Sequence, residues 1–64
     1  MPIANLSIME GRNEEQIAAL IEAVTEAIHT SLSAPRENIR VIVSEVPRSH
    51  WGIAGKSAKE LGKH

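Results

Sequence analysis

Four positions in this 64-residue chain carry residue types that could do chemistry: Pro2, Arg12, Arg40 and Trp51. A proline directly behind the initiator methionine becomes an N-terminal secondary amine once the methionine is removed, and that amine is a base that needs no side chain. A general base works best with a pKa near the working pH. A free α-amino group already lies at about 7.7 to 8.0, with a secondary amine somewhat higher. Desolvation in an apolar pocket and nearby positive charge both disfavour the ammonium form and bring that value down. Arginines can supply such charge, and a guanidinium fork also matches a carboxylate bidentately. Arg40 stands out because it interrupts a run otherwise rich in Ile and Val. Arg12, just ahead of a helical pattern, reads on its own as a solvated surface residue. Trp51, beside Gly52, reads equally as interface packing or as the wall of a pocket. His50 reads as a turn or surface residue, and Glu10, Glu45 and the helical carboxylates as a solvated face or cap partners.

Elements must hold these groups in place. Ala4, Leu6 and Ile8 alternate with Ile3, Asn5 and Ser7, the period-2 pattern of a strand, so the amine is anchored at the start of a sheet. Asn13 followed by Gln16 predicts a capping box and a helix start. The apolar residues Ile17, Leu20, Ile21, Val24, Ile28 and Leu32 then form one stripe of 3.6-residue period. Pro35 disfavours helical geometry at Ala34 and ends the helix near Ser33. A second strand is expected over Ile39 to Val46, with apolar residues on both faces as in a strand buried on both sides, closed by Pro47. Strand, helix, strand with one crossover reads as a βαβ unit with parallel strands and a right-handed connection. Arg48 to Gly55 suggests a turn with a short hairpin that could add to a neighbour's sheet, and the polar tail from Lys56 is expected to fray. The fold class is therefore α/β, a single domain over residues 1–64. Two strands and one helix cannot cover both sheet faces, so the face with Ile3, Asn5, Arg40, Ile42 and Ser44 must meet another subunit.

Composition narrows the function. A domain this small buries only roughly 60% of the surface its unfolded chain exposes, and small folds usually add disulfides, a metal or oligomerisation. There are no cysteines, which removes disulfides and thiolate zinc sites. The three histidines, His29, His50 and His64, lack helical metal-ligand spacing, so no metal is expected and oligomerisation is left. A net charge of −1 and a single aromatic residue leave no basic stripe or stacking platform for nucleic acid. No apolar run approaches the ~20 residues that span a bilayer, and no leader is visible, so a soluble cytoplasmic protein is expected. Gly55-Lys56-Ser57 has the ending of a phosphate-binding loop, but His50 stands where the earlier glycine is required.

Taken together, MPIANLSIMEGRNEEQ, the helix, APRENIRVIVSEVP and HWGIAG closely resemble the 4-oxalocrotonate tautomerase family, the 2-hydroxymuconate tautomerases, over nearly the whole chain to about Gly55. The resemblance rests on the N-terminal proline, EGR after the first strand, a proline before the second strand, an arginine early in it and an aromatic-Gly-Ile turn, all at matching spacing. It implies a tautomerase-type fold assembling into a homohexamer, a trimer of dimers, and a proton-transfer enzyme that uses no cofactor. It also implies Pro2 as catalytic base, Arg12 and Arg40 as carboxylate- and carbonyl-binding arginines, and Trp51 as a hydrophobic wall. Members nearest the type enzyme have phenylalanine at Trp51, glycine at Ala54 and leucine at Met9; the first two differences alter pocket shape.

By that resemblance, Pro2 takes the hydroxyl proton of a dienol dicarboxylate such as 2-hydroxymuconate and returns a proton to carbon, giving the conjugated 2-oxo acid. Arg40 stabilises the charge developing at the 2-oxygen and its neighbouring carboxylate, and Arg12 holds the far carboxylate. Two other readings remain open. One is a superfamily hydratase or dehalogenase of unsaturated halo-acids, against which Trp51 to Gly55 offers no acid; the other is a non-catalytic oligomeric scaffold.

Overall fold

The alternation of Ala4, Leu6 and Ile8 with Ile3, Asn5 and Ser7 at the N terminus gives β1, Ile3–Met9. In the computed structural model, which describes Met1–His64, β1 pairs in parallel with β2, Arg40–Val46, with Ile3 opposite Arg40 and Met9 opposite Val46. The ladder begins one step earlier, where the Arg40 amide donates to the Pro2 carbonyl at 3.0 Å, and continues one step later, where the Glu10 amide donates to Val46 O at 2.9 Å. Ile39, expected as the first residue of the strand, instead closes a single 3-10 turn, Arg36–Asn38, and is one of only two buried residues in the chain.

Between the strands runs α1, Glu14–Leu32. The expected capping box is formed: Asn13 Oδ1 accepts from the Gln16 amide at 2.8 Å, and Gln16 Oε1 accepts from the Asn13 amide at 3.1 Å. The helix ends at Ser33, which adopts a left-handed conformation (φ 56°). His29 Nδ1 donates to the carbonyl of Ala34, just past the helix, at 2.7 Å and ties the exiting chain back to the last turn. Of the apolar stripe, Ile17, Leu20, Val24 and Ile28 are half-buried against the sheet, whereas Ile21 and Leu32 are exposed. β1, α1 and β2 thus make the expected βαβ unit.

The C-terminal segment departs from expectation in two ways. The hairpin lies a few residues further on, with β3, Gly52–Ile53, and β4, Lys56–Ser57, antiparallel around Ala54 and Gly55, while Arg48–His50 forms another 3-10 turn. A two-residue hairpin loop of type I′ needs positive φ at both central residues, and Ala54 (52°) and Gly55 (88°) supply it. The tail does not fray. Ser57 caps a short helix, α2, Ala58–Leu61, through a reciprocal capping box with Glu60, and Gly62 ends it in a left-handed conformation. Ala58 is fully buried, and its amide donates to Trp51 O at 2.8 Å, which folds the tail back on the turn.

Ala54 takes that conformation against its side chain's preference, which costs an L-residue about 1–2 kcal/mol. Glycine relieves the strain but gives back about 0.4–1 kcal/mol through a more flexible unfolded chain. Ala54→Gly is therefore expected to stabilise the protein by about 0.5–1 kcal/mol. Urea midpoints at equal protein concentration check it; an unchanged or lowered midpoint would contradict the strain.

One protomer is not a compact body. Its radius of gyration is 14.4 Å, against about 11 Å for a compact domain of this length, and it exposes 4734 Å², against about 4,000 Å² for a globular protein of its mass. Only Ile39 and Ala58 are buried, while Ile3 and Ile42, neighbours on the sheet face away from α1, are 56% and 50% exposed. This is the open face anticipated from the sequence: a single helix covers one side of a two-stranded ribbon and nothing in the protomer covers the other.

Candidate active site

The parallel ladder fixes Pro2. Its carbonyl is held by the Arg40 amide, its ring continues the half-buried alternation of Ala4, Leu6 and Ile8, and Met1 beyond it is 77% exposed. While Met1 is attached, the Pro2 nitrogen is an amide; once Met1 is removed, the amine stands at the sheet end rather than on a loose tail.

Arg40 is adjacent in main chain but diverges in side chain. It shares the register position of Ile3 and therefore the open face, opposite to the side on which Pro2 lies. Its Nη1 donates to the carbonyls of Glu37 (2.7 Å) and Ile39 (3.3 Å) and meets no carboxylate. The turn providing those carbonyls is braced by Arg36, whose Nε donates to Glu26 Oε2 at 3.2 Å while its Nη2 forms an ion pair with the same oxygen. Hydrogen bonding from Arg36 holds the Glu26 carboxyl below its ordinary range. A depressed carboxyl contributes stability that is present above its unfolded pKa and lost as pH falls through the folded one. This brace behind Arg40 had no sequence signal, because its partners are ten residues apart and belong to different elements.

Arg12 and Trp51 lie at the other end. Arg12 follows Gly11, which has φ 120°, in the loop between β1 and α1. Trp51 follows the turn that leaves β2, a turn tied back to β1 by the Arg48 amide donating to Glu10 Oε1 at 3.4 Å. Glu10, read from sequence as solvated or a cap partner, thus joins the C-terminal segment to the sheet. At about 3.3 Å per strand residue, the run from Pro2 to Glu10 spans about 26 Å. The structure therefore brings Pro2 and Arg40 together along the main chain, keeps Arg12 and the segment bearing Trp51 away from both, and encloses no pocket within one protomer. No three His, Cys, Asp or Glu side chains converge as metal ligands, and no helix is long and apolar enough to cross a membrane.

A half-buried proline directly behind Met1 at the head of a parallel βαβ unit, with Arg12 and Arg40 at opposite ends of the sheet, is the layout that the sequence resemblance leads one to expect of a tautomerase. Comparison with known proteins agrees with that class: residues 2–61 match the model of the tautomerase enzyme family. The chain is 52% identical over 63 residues to the 2-hydroxymuconate tautomerase of Comamonas testosteroni, covering 98% of this chain and 100% of that one. It superposes with TM-score 0.93 and 50% identity on a 4-oxalocrotonate tautomerase isozyme of Methylibium petroleiphilum, covering 97% and 100% of the two chains. With a heterohexameric 4-oxalocrotonate tautomerase from Chloroflexus aurantiacus it shares 36% identity at TM-score 0.90, covering 95% and 98%. The chain belongs to the tautomerase family and is an isomerase of the keto-enol type.

Proposed function

We propose that this protein converts a dienol dicarboxylate such as 2-hydroxymuconate to the conjugated 2-oxo acid without a cofactor, in a site shared between subunits of a homohexamer. The observation that carries the reading is Pro2, held half-buried in the parallel ladder with its nitrogen left at the sheet end. The released amine accepts the proton of the 2-hydroxyl, and the same proline then delivers a proton to a carbon of the conjugated chain. One O–H bond breaks, one C–H bond forms, and no group is gained or lost. Arg40 donates to the oxygen as it becomes negative, Arg12 holds the distant carboxylate, and Trp51 walls the apolar stretch between them. The names of the relatives support the substrate class, and the cysteine-free chain suits the reducing cytoplasm.

Only Arg40 faces charge that appears during the reaction; the carboxylate facing Arg12 is charged throughout. With 2-hydroxymuconate, Arg40→Ala is expected to lower kcat about 10²- to 10³-fold, the range for loss of one preorganised donor. Arg12→Ala is expected to raise KM with little change in kcat, the sign of lost uniform binding. Steady-state kinetics followed in the ultraviolet decide it; parental kinetics from both variants would overturn the assignment.

A further inference from the structure

Charge is divided unevenly along the fold. Residues 1–47 carry seven glutamates against Arg12, Arg36 and Arg40, a net of −4, while residues 48–64 carry Arg48, Lys56, Lys59 and Lys63 against Glu60 alone, a net of +3. The cations of this C-terminal unit are also free of carboxylates, since the only ion pair in the chain joins Glu26 to Arg36. Arg48 Nη1 donates instead to His64 Nδ1 at 2.6 Å, a bond that requires the ring nitrogen to be unprotonated and leaves the guanidinium charge uncancelled.

All four cations are built around Trp51. The Trp51 amide meets Arg48 O at 3.4 Å, its carbonyl accepts from Ala58, Lys56 pairs opposite the nearby Ile53, and the Lys63 amide donates to Ala58 O at 2.8 Å. Lys59 follows Ala58 directly, and the whole of α2 is about 6 Å long. The backbone anchors of these charges are therefore gathered on one small unit that bears Trp51, so that like charge is concentrated there with one carboxylate side chain to offset it.

We propose that the C-terminal unit is an electrostatic collector, in which Arg48, Lys56, Lys59 and Lys63 draw a dianionic substrate toward the pocket wall formed by Trp51. The inference rests on the tautomerase reading of the site and adds a role to a segment outside the proton-transfer residues. Clustered charge of one sign raises the local concentration and arrival rate of the opposite sign, by 10- to 10³-fold in strong cases, without touching the chemical step. The unit acts on kcat/KM and leaves kcat alone.

The test compares the parent with Lys59→Glu/Lys63→Glu and with the milder Lys59→Gln/Lys63→Gln, using 2-hydroxymuconate between low and high sodium chloride. The parent's kcat/KM is expected to fall with salt. The Glu pair should start about five- to tenfold lower, with a visibly flatter salt slope and kcat within about twofold of the parent; the Gln pair should lie between. A monoanionic dienol should show about half the parent's logarithmic slope, because the interaction scales with substrate charge. Variants that keep the parental kcat/KM and slope would overturn the collector while leaving the tautomerase reading intact. Variants that dissociate by native mass spectrometry at salt concentrations where the parent stays assembled would overturn it too, assigning the cations to subunit contacts. A parent that does not turn over the dienol at any salt concentration would overturn the tautomerase reading and the collector with it.

Discussion

A chain that retains Met1 is expected to fold and assemble as the processed chain does, yet to lose about 10²- to 10⁴-fold in kcat/KM, the contribution typical of a positioned general base. In a Met1–Pro2 peptide bond the proline nitrogen's lone pair is delocalised into the carbonyl, and the residue has no N–H to donate. The fold is indifferent to the change because only the Pro2 carbonyl enters the ladder and Met1 is 77% exposed, so neither a hydrogen bond nor packed surface depends on the first residue. That same exposure lets an aminopeptidase reach the bond. Intact mass measured alongside turnover, with native mass for assembly, tests this directly. Full activity from a preparation retaining Met1 would remove Pro2 from the mechanism.

Mixing two impaired chains is expected to restore turnover at low substrate concentration, where the loss of Arg12 is felt through KM. Pro2 and Arg12 are separated by about the length of a strand in one protomer, so a site using both takes them from different copies. If an N-terminally extended chain is refolded together with an equal amount of Arg12→Ala chain, about one site in four should combine an intact amine with an intact Arg12, as random assembly of a symmetric oligomer requires. Native mass spectrometry should show mixed hexamers, and turnover at substrate concentrations well below the KM of the Arg12→Ala chain should rise well above that of either chain refolded alone. Mixed hexamers without any gain would mean that the two residues serve the same protomer's site, and a folded monomer at low micromolar concentration would remove the architecture altogether.

The βαβ unit was legible because its signals are local. Asn13 and Gln16 form a capping box within one turn, the Ile17 to Ile28 stripe has helical period, and the alternation of β1 needs no partner to be seen. The C-terminal helix was legible too and was missed. Ser57 and Glu60 repeat the capping-box spacing and Gly62 supplies the left-handed stop, but a run of lysines and glycines reads as solvated tail unless that spacing is weighed. The shift of the hairpin was harder to foresee, because Ala54 adopts a conformation that a propensity argument assigns to glycine. Pro2, Arg40, Arg12 and Trp51 could be named from type and family pattern. Their division between the two ends of the sheet depends on strand direction and register, and the bracing of Arg40 by Glu26 and Arg36 depends on a contact between elements that no local pattern encodes.

If the proposed site is shared between subunits, the bare sheet face and the two-ended placement of Pro2 and Arg12 would make catalysis a property of protein concentration. On the proposed reading, a processed single chain would hold its base at one end and its Arg12 grip at the other, with Ile3 and Ile42 uncovered, and would be catalytically silent by itself. Specific activity should then collapse on dilution below the association threshold and return on reconcentration, with a steep, higher-order dependence that no enzyme with a self-sufficient protomer displays. Partial loss of expression in a cell would cut flux by more than the fraction of chains lost.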